Sequence, residues 1–266
     1  MSFHSLRFDR AAATYGAHSR IQERMADALI DLAAAERPAA ILELGCGTGN
    51  LTRRLRDRFP DAALFATDAA PRMLATAQAA SPAASGIRWA LSDASGEASA
   101  PGPIRTAAPF GMAASNALVQ WFPDLRPHLS LIASLLAPTG AYLVSGFSRD
   151  NFPELNSILR EPPFSYPDYP GHAESDIAAA AAASGFAVEA FREEAIGIVL
   201  PGPRALLESI RGLGSARRPE AGKPLTRARL GRLIASYQER YPCEGGVKAT
   251  WKPWYARLRM GPALQP

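Results

Sequence analysis

A glycine-rich turn between a predicted strand and a predicted helix constrains the fold more than any other feature of the chain. Ala39-Ala40-Ile41-Leu42 is apolar and typical of a buried strand, and apolar side chains at helical spacing predict a helix that starts near Asn50. Between them lies Glu43-Leu44-Gly45-Cys46-Gly47-Thr48-Gly49. Each glycine lacks a Cβ and permits backbone angles that other residues resist. A nucleotide-like ligand can therefore lie against bare backbone at this turn.

The next predicted strand, 62–67, ends at Asp68, where a carboxylate can accept hydrogen bonds from both hydroxyls of a ribose. Glu43 argues against NAD, because a nearby carboxylate repels a pyrophosphate and attracts a cation. The chain has no Gly-Lys-Ser/Thr, which excludes a P-loop. The pattern predicts S-adenosylmethionine as cofactor, with its positively charged methionine end beside Glu43 and the glycine turn.

Strand and helix patterns alternate along the rest of the chain. This alternation predicts an α/β fold, Rossmann-like, with a mostly parallel seven-stranded sheet and helices on both faces. The predicted helices cover 8–32, 50–59, 71–77, 125–136, 175–183, 204–213 and 225–241, and the remaining predicted strands cover 87–91, 110–115, 141–147, 186–199 and 247–258. Residues 94–108 are predicted to be a loop with at most a short helix, and 149–172 a mobile connection.

We predict one methyltransferase domain over 1–266, with 1–37 as an N-terminal cap helix and 201–244 as a helical lid inserted before the last strand. The N-terminus lacks the apolar region of a signal peptide, and no apolar run reaches the length of a membrane span. The two cysteines, Cys46 and Cys243, cannot form a disulfide framework or a zinc site. The expected protein is cytoplasmic and monomeric, with no metal, nucleic acid or membrane partner.

The charge of the chain is unevenly distributed. The net charge is +4, but residues 201–266 contain thirteen Lys/Arg and four acidic residues, which leaves the first two hundred residues net negative. This asymmetry indicates an anionic partner that docks on the C-terminal part. A solvated arginine-rich surface is the alternative interpretation.

Four polar residues fall at the carboxyl ends of predicted strands, where ligands bind in parallel sheets: Glu43, Asp68, Asp93 and Asn116. Asp93 would receive the adenine amino group and Ala94 would offer its amide to the ring, although an Asx turn explains Asp93 equally well. The predicted cofactor-binding set comprises Tyr15, Gln22, Glu43, Gly45, Gly47, Gly49, Asp68, Ala69, Met73, Asp93, Ala94 and Asn116.

Tyr15, Gln120 and Trp121 are the predicted catalytic residues. Trp121 offers an apolar wall and an indole donor at the mouth of a site, and a core position is the alternative. Tyr15, His18 and Gln22 lie on one face of the first predicted helix, which either covers the cofactor or faces solvent. No general-base pair is evident near strand four, which is compatible with a carboxylate nucleophile that is ionised at neutral pH.

Several of these blocks together resemble the malonyl-[acyl-carrier protein] O-methyltransferase family of biotin synthesis. The resemblance is carried by residues 8–15 with His18 and Gln22, 41–49 with 66–68 and 71–74, 115–122, 225–228 and 249–251. Two departures are Gly111 and Gly16, where family members usually carry acidic residues.

The resemblance implies methylation of the free carboxylate of a malonyl thioester, an early step of pimeloyl and biotin synthesis, on a small acidic acyl carrier protein. His18, Arg217, Arg218, Arg227 and Arg229 are the predicted contacts to substrate and carrier. Three alternatives remain open at this stage. They are a carboxyl methyltransferase of a free small acid such as trans-aconitate, a non-catalytic assembly factor of the same fold, and an RNA methyltransferase.

Overall fold

The structure, a computed structural model, describes residues 3–82, 86–96, 102–166, 168–213 and 226–261. Its helices are α1 (Phe3–His18), α2 (Arg20–Leu32), α3 (Asn50–Arg58), α4 (Pro71–Ala79), α5 (Gly102–Ala107), α6 (Arg126–Leu135), α7 (Pro153–Leu159), α8 (Glu174–Ala183), α9 (Pro203–Gly212) and α10 (Arg227–Arg240). Its strands are β1 (Ala40–Leu44), β2 (Ala63–Asp68), β3 (Arg88–Leu91), β4 (Phe110–Ser115), β5 (Leu136–Phe147), β6 (Phe186–Glu193), β7 (Ile196–Leu200), β8 (Pro242–Cys243), β9 (Gly246–Trp251) and β10 (Pro253–Met260).

Seven strands form the main sheet in the order β3-β2-β1-β4-β5-β10-β6, which confirms the predicted Rossmann-like fold. The pairs from β3 to β5 are parallel, and β10 runs antiparallel to both of its neighbours. The order reverses at β1, because the chain moves outward to β2 and β3 and then returns to β4 on the other side. The carboxyl ends of β1 and β4 therefore meet at a topological switch point, where such sheets bind ligands.

Alternate residues along the strands bury their side chains in two different cores. On one face Ile41 packs in a core with residues of α2 and α3, and on the other face Leu42 packs with residues of α6 and α8. This alternation follows from the period of two in a strand. The helices thus cover both faces of the sheet. Within the described part of the chain, no helix combines the length and the hydropathy needed to span a membrane.

The predicted helix over 8–32 is wrong in one respect, because Ser19 divides it into α1 and α2. Ser19 has ψ 11° and is fully buried, and its hydroxyl donates to Gly16 O at 3.2 Å. The Asn50 amide donates to the same hydroxyl oxygen at 3.2 Å. The break therefore ties the N-terminal helices to the start of α3 beside the glycine turn.

Two predicted strands are each divided between two sheets. The predicted strand 186–199 forms β6 in the main sheet and β7 in a second sheet, and 247–258 forms β9 and β10 in the same way. The second sheet has three strands in the order β7-β9-β8. Lys252 lies between β9 and β10, where the chain passes from the second sheet to the main sheet. Its amide donates to Asn151 Oδ1 at 2.9 Å, and its carbonyl accepts from Ser148 N at 2.8 Å.

Two other boundaries also differ from the prediction. Strand β5 begins at Leu136, five residues early, because Leu136 already pairs with Phe110 across an irregular register. Residues 94–108 contain the short helix α5, as expected, whereas the predicted mobile connection over 149–172 contains the ordered helix α7.

Buried polar contacts hold α7 against the second sheet. Glu154 is 5% exposed, and its carboxylate accepts from the Thr250 hydroxyl at 2.5 Å and from the Thr250 amide at 3.1 Å. Thr250 lies in β9 and is itself buried. Since these groups are removed from water, each depends on its partner.

We expect Glu154→Ala to lower the free energy of unfolding by about 3 kcal/mol, because the buried hydroxyl and amide of Thr250 lose their acceptor. Urea denaturation followed by circular dichroism measures the change. Glu208→Ala, at an exposed site on α9, is the matched control. Equal denaturation midpoints for the two variants would contradict the role given to Glu154.

Candidate active site

The glycine turn joins β1 to α3 with three residues in the left-handed region. Gly45, Gly47 and Gly49 have φ values of 65°, 55° and 85°. A Cβ on Gly47 would meet no atom within 4 Å, so this residue presents bare backbone to an open space. A Cβ on Gly49 would contact Arg53 and Ala77, so Gly49 faces away from that space and serves the turn itself.

Asp68, at the carboxyl end of β2, ties the glycine turn to the second strand. Its Oδ2 accepts from Gly47 N at 2.8 Å, and its Oδ1 accepts from Ala70 N at 2.8 Å. Burial raises the pKa of Asp68, and the backbone amides partly offset that rise. Each carboxylate oxygen has a second lone pair, so Asp68 can accept from ligand hydroxyls while it holds the turn.

A cavity, here called the Asp68 cavity, opens above the ends of β1, β2 and β4. It brings together most of the predicted cofactor-binding residues. Those that line it are Tyr15, Gly45, Gly47, Asp68, Ala69, Met73, Asp93, Ala94 and Asn116. Asp93 accepts from Ser95 N at 2.9 Å, so it forms an Asx turn and lines the cavity at the same time.

His128, which the sequence did not single out, holds the Ala94 end of this cavity. Its Nδ1–H donates to Ala94 O at 2.5 Å, and its Nε2 accepts from the Tyr142 hydroxyl at 2.7 Å. Ser115 Oγ lies 2.6 Å from the same hydroxyl. Burial lowers the pKa of His128 to about 4, so the ring is neutral and donates through one nitrogen only. The His128 ring also packs 5.0 Å from Phe122, a lining residue.

A smaller cavity, the Glu43 cavity, adjoins the first along the glycine turn. Glu43 is 1% exposed, and its Oε2 has no hydrogen-bond donor among the described residues. The pKa of Glu43 is raised to about 8, chiefly by burial and in part by the charge of Asp68, although Thr52 and Arg53 lower it. A buried acceptor atom without a donor marks a place for a cationic or N–H group of a ligand.

Asn116 joins the N-terminal helices to the ends of β4 and β5. Its amide donates to Gln22 O at 2.8 Å, and its Oδ1 accepts from Ser145 Oγ at 2.7 Å. Asn116 lines both the Asp68 cavity and the Glu43 cavity. Its carboxamide is engaged with the protein on both sides, so the residue shapes the site as well as lining it.

A third cavity, the Gln120 cavity, is lined by residues of both the main sheet and the second sheet. Of the predicted residues it contains Tyr15, Gln22, Gln120 and Trp121. None of the described residues that line it carries a charged side chain. The walls that the sequence did not reveal are Phe8, Ala117, Phe147, Asn151, Phe152, Tyr169, Pro170, Ile210, Leu213 and Trp251.

Tyr15 and Trp121 stand where the cavities meet. Tyr15 lines all three, and Trp121 lines both the Asp68 cavity and the Gln120 cavity. The Trp121 ring packs edge to face against Phe8 at 5.5 Å. Burial and the charge of Asp68 raise the pKa of Tyr15, so its hydroxyl keeps its proton at neutral pH. The arrangement gives one ligand, along the glycine turn, access to a second ligand in a neutral cavity.

Of the predicted substrate and carrier contacts, His18, Arg227 and Arg229 do not line these cavities. His18 packs against α9, where a Cβ on Gly212 would fall 2.1 Å from His18 Cδ2. Arg227 and Arg229 lie in the first turn of α10, and Thr226 caps that helix by accepting from Arg229 N at 3.3 Å. Arg217 and Arg218 fall outside the described residues.

Comparison with known proteins agrees with this geometry. A family model described as a methyltransferase domain matches residues 41–140. The malonyl-[acyl-carrier protein] O-methyltransferase of Geobacter sulfurreducens is 30% identical over 259 residues, which are 93% of this chain and 94% of that protein. The solved YcgJ protein of Bacillus subtilis has a similar fold, with a TM-score of 0.63 at 16% identity over 90% of this chain and 98% of that chain.

A second solved structure, phosphoethanolamine N-methyltransferase 2 of Haemonchus contortus in complex with S-adenosyl-L-methionine, has a TM-score of 0.53 at 15% identity. It covers 96% of this chain and 57% of that chain. The sheet order, the glycine-turn cavities, the methyltransferase family model and the O-methyltransferase relatives together define a class I methyltransferase that uses S-adenosylmethionine. The chain belongs to the malonyl-[acyl-carrier protein] O-methyltransferase family.

The residues present fit this cofactor. The unpartnered Glu43 Oε2 offers an acceptor to a positively charged methionine end, and the bare backbone at Gly47 leaves space beside it. Asp68 offers acceptors to ribose hydroxyls, and Ala69, Met73 and Ala94 supply walls. The assignment of each of these residues to a part of the cofactor remains a prediction.

We expect Asp68→Ala to cost about 2–4 kcal/mol of S-adenosylmethionine affinity, because the ribose loses its charged acceptor. Isothermal titration calorimetry measures the dissociation constant. Asp57→Ala, on the exposed side of α3, is the control. Unchanged affinity in Asp68→Ala would overturn the ribose assignment.

The raised pKa of Glu43 predicts a pH dependence of stability in the cofactor-free protein. The folded protein keeps this proton up to about pH 8, whereas the unfolded chain loses it near the ordinary value of 4.5. The contribution of protonated Glu43 to the free energy of unfolding is thus fully present below about pH 4.5 and is lost as the pH rises to about 8. Glu43→Gln cannot ionise. The melting temperature of this variant minus that of wild type should therefore increase as the pH rises from 5 to 8.

Differential scanning fluorimetry across this pH range checks the effect. Glu208→Gln on α9, which is exposed, should follow the wild-type curve. Parallel curves for Glu43→Gln and wild type would show that the Glu43 carboxyl does not retain its proton in the fold.

Proposed function

We propose that the protein methylates the free carboxylate of malonyl-[acyl-carrier protein] to its methyl ester, an early step of pimeloyl and biotin synthesis. The observation that carries this proposal is the Gln120 cavity, which meets the glycine-turn cavities at Tyr15 and Trp121 and has no charged side chain among its described lining residues. The names of relatives such as the protein of Geobacter sulfurreducens support it.

The neutral lining suits a carboxylate nucleophile. A carboxylate is already ionised at neutral pH, so no general base is required to activate it. A cation beside it would stabilise its charge and reduce its nucleophilicity, whereas neutral groups leave its electrons available. The protein's contribution is then alignment of the two reactants and exclusion of water.

Each part of the site has a task under this proposal. When bound, S-adenosylmethionine supplies a methyl group on a positively charged sulfur. Tyr15, which keeps its proton, can donate a hydrogen bond at the meeting point of the cavities. Trp121 and Phe8 form the apolar wall that keeps water from the reacting groups.

The basic C-terminal part provides the face for an acidic carrier protein. Residues 201–266 hold the positive excess of the chain, and Ile210 and Leu213 of that part reach the wall of the Gln120 cavity. The proposal includes the division of the chain into one methyltransferase domain, with 1–37 as a cap and 201–244 as a lid.

The decisive experiment offers the purified protein three acceptors: malonyl-carrier protein, malonyl-CoA and free trans-aconitate. Mass spectrometry should find one added methyl on the malonyl thioesters, with Asp68→Ala as the impaired control. Methylation of trans-aconitate alone would favour a small-acid methyltransferase. Failure with every acceptor, despite cofactor binding, would favour a non-catalytic role.

Reversing Arg217, Arg218, Arg227 and Arg229 to Glu should raise the KM for malonyl-carrier protein on the order of tenfold, because complementary charge speeds encounter. The dissociation constant for S-adenosylmethionine should not change. The control reverses Arg37 and Arg105, two exposed residues that precede β1 and β4 at the opposite edge of the sheet. An unchanged KM for the carrier would rule out this docking face.

A further inference from the structure

Gln120 lines the Gln120 cavity and has a buried side-chain oxygen without a hydrogen-bond donor among the described residues. The residue lies in a short 3-10 helix, Val119–Trp121, and is 7% exposed. Its Nε2 donates to Ala117 O at 2.7 Å. Because a carbonyl oxygen can only accept, this bond fixes which end of the carboxamide is the nitrogen. The Oε1 atom is buried and has no donor within the part of the chain that the structure describes.

The backbone at Ala117 holds this orientation in place. Ala117 has φ 52°, a left-handed conformation that costs free energy in a residue with a Cβ. Its amide donates to Ser145 O at 3.1 Å and also approaches Ser145 Oγ at 3.2 Å. With the amide anchored on β5, the Ala117 carbonyl points toward Gln120 and accepts its Nε2. The strained turn therefore fixes the Gln120 carboxamide.

A second unpaired carboxamide oxygen belongs to another residue that lines the same cavity. Gln22 is 6% exposed and lines the Gln120 cavity, and its Oε1 also has no donor among the described residues. Two buried acceptor oxygens gain no hydrogen bond from a carboxylate, which carries no donor at neutral pH. They are satisfied by N–H or O–H donors on a ligand. A free tricarboxylic acid brings only more negative oxygens, whereas an amide brings an N–H.

We propose that Gln120, with Gln22 as a second acceptor, recognises an N–H group on the arm that carries the acyl group, and so selects amide-bearing thioesters over free polycarboxylic acids. This inference rests on the proposed function. A pantetheine arm places an amide N–H two carbons from the thioester sulfur, close enough to share a cavity with the acyl group. Gln120 then acts as a specificity-determining residue rather than as part of the methyl transfer itself.

The test compares two malonyl thioesters that differ in one group. One is the N-acetylcysteamine thioester, which has the amide N–H, and the other is the 2-acetoxyethanethiol thioester, in which an ester oxygen replaces the N–H. For wild type we expect kcat/KM to favour the amide by about tenfold or more, since the ester leaves the Gln120 oxygen unpaired. Gln120→Met, which removes the oxygen, should bring this ratio close to one.

Two further variants allow the role of the Gln120 oxygen to be tested even if Gln120→Met is unstable. Gln120→Glu retains an acceptor oxygen and should keep the preference for the amide even if its overall activity falls. Gln78→Met, at an exposed site on α4, should behave as wild type. The ratio does not depend on the folded fraction, because both substrates report on the same molecules.

The possible failures are distinguishable. If wild type methylates neither thioester, nor the carrier-bound substrate, the proposed function is wrong. If it methylates both thioesters with equal kcat/KM, or if Gln120→Met keeps the wild-type ratio, the proposed function stands and the role of Gln120 is overturned.

Discussion

The carboxylate of Asp68 connects two strands of the sheet through the glycine turn, and the cofactor half of the site depends on it. One oxygen accepts from Gly47 N and the other from Ala70 N, so the end of β2 fixes both the turn after β1 and the start of α4. Without that acceptor, the left-handed backbone at Gly47 would lack its partner. The shape of the Asp68 cavity therefore follows from two hydrogen bonds to a single side chain.

The sequence predicted this half of the molecule well because its signals are local. An apolar run, three glycines and helical spacing lie within some twenty residues, and Glu43, Asp68 and Asn116 each follow or end a strand. Parallel sheets bring such positions to one edge whatever the rest of the chain does. His128 escaped prediction because its partners, Ala94 and Tyr142, come from other elements.

The sequence predicted the part of the molecule around the Gln120 cavity poorly, and the reason is physical. Residues 149–172 have no hydrophobic period, since α7 is only seven residues long and is held by buried polar contacts such as that of Glu154 with Thr250. The strand patterns over 186–199 and 247–258 show no interruption in the sequence. Each segment is divided into two strands by its pairing with strands that are distant along the chain. Phe152 and Trp251 line the Gln120 cavity only because of that division.

At Lys252 the chain passes from the second sheet to the main sheet, so the two walls of the active site belong to different structural units. The wall along the glycine turn belongs to the parallel strands, while Trp251 and Phe152 belong to the second sheet and the segment that packs on it. Both backbone polar groups of Lys252 are bound by residues 148–151, which fastens the joint between the units. Under the proposed function, substitutions in the second sheet can thus change the shape of the cavity for the methyl acceptor while the residues along the glycine turn stay unchanged.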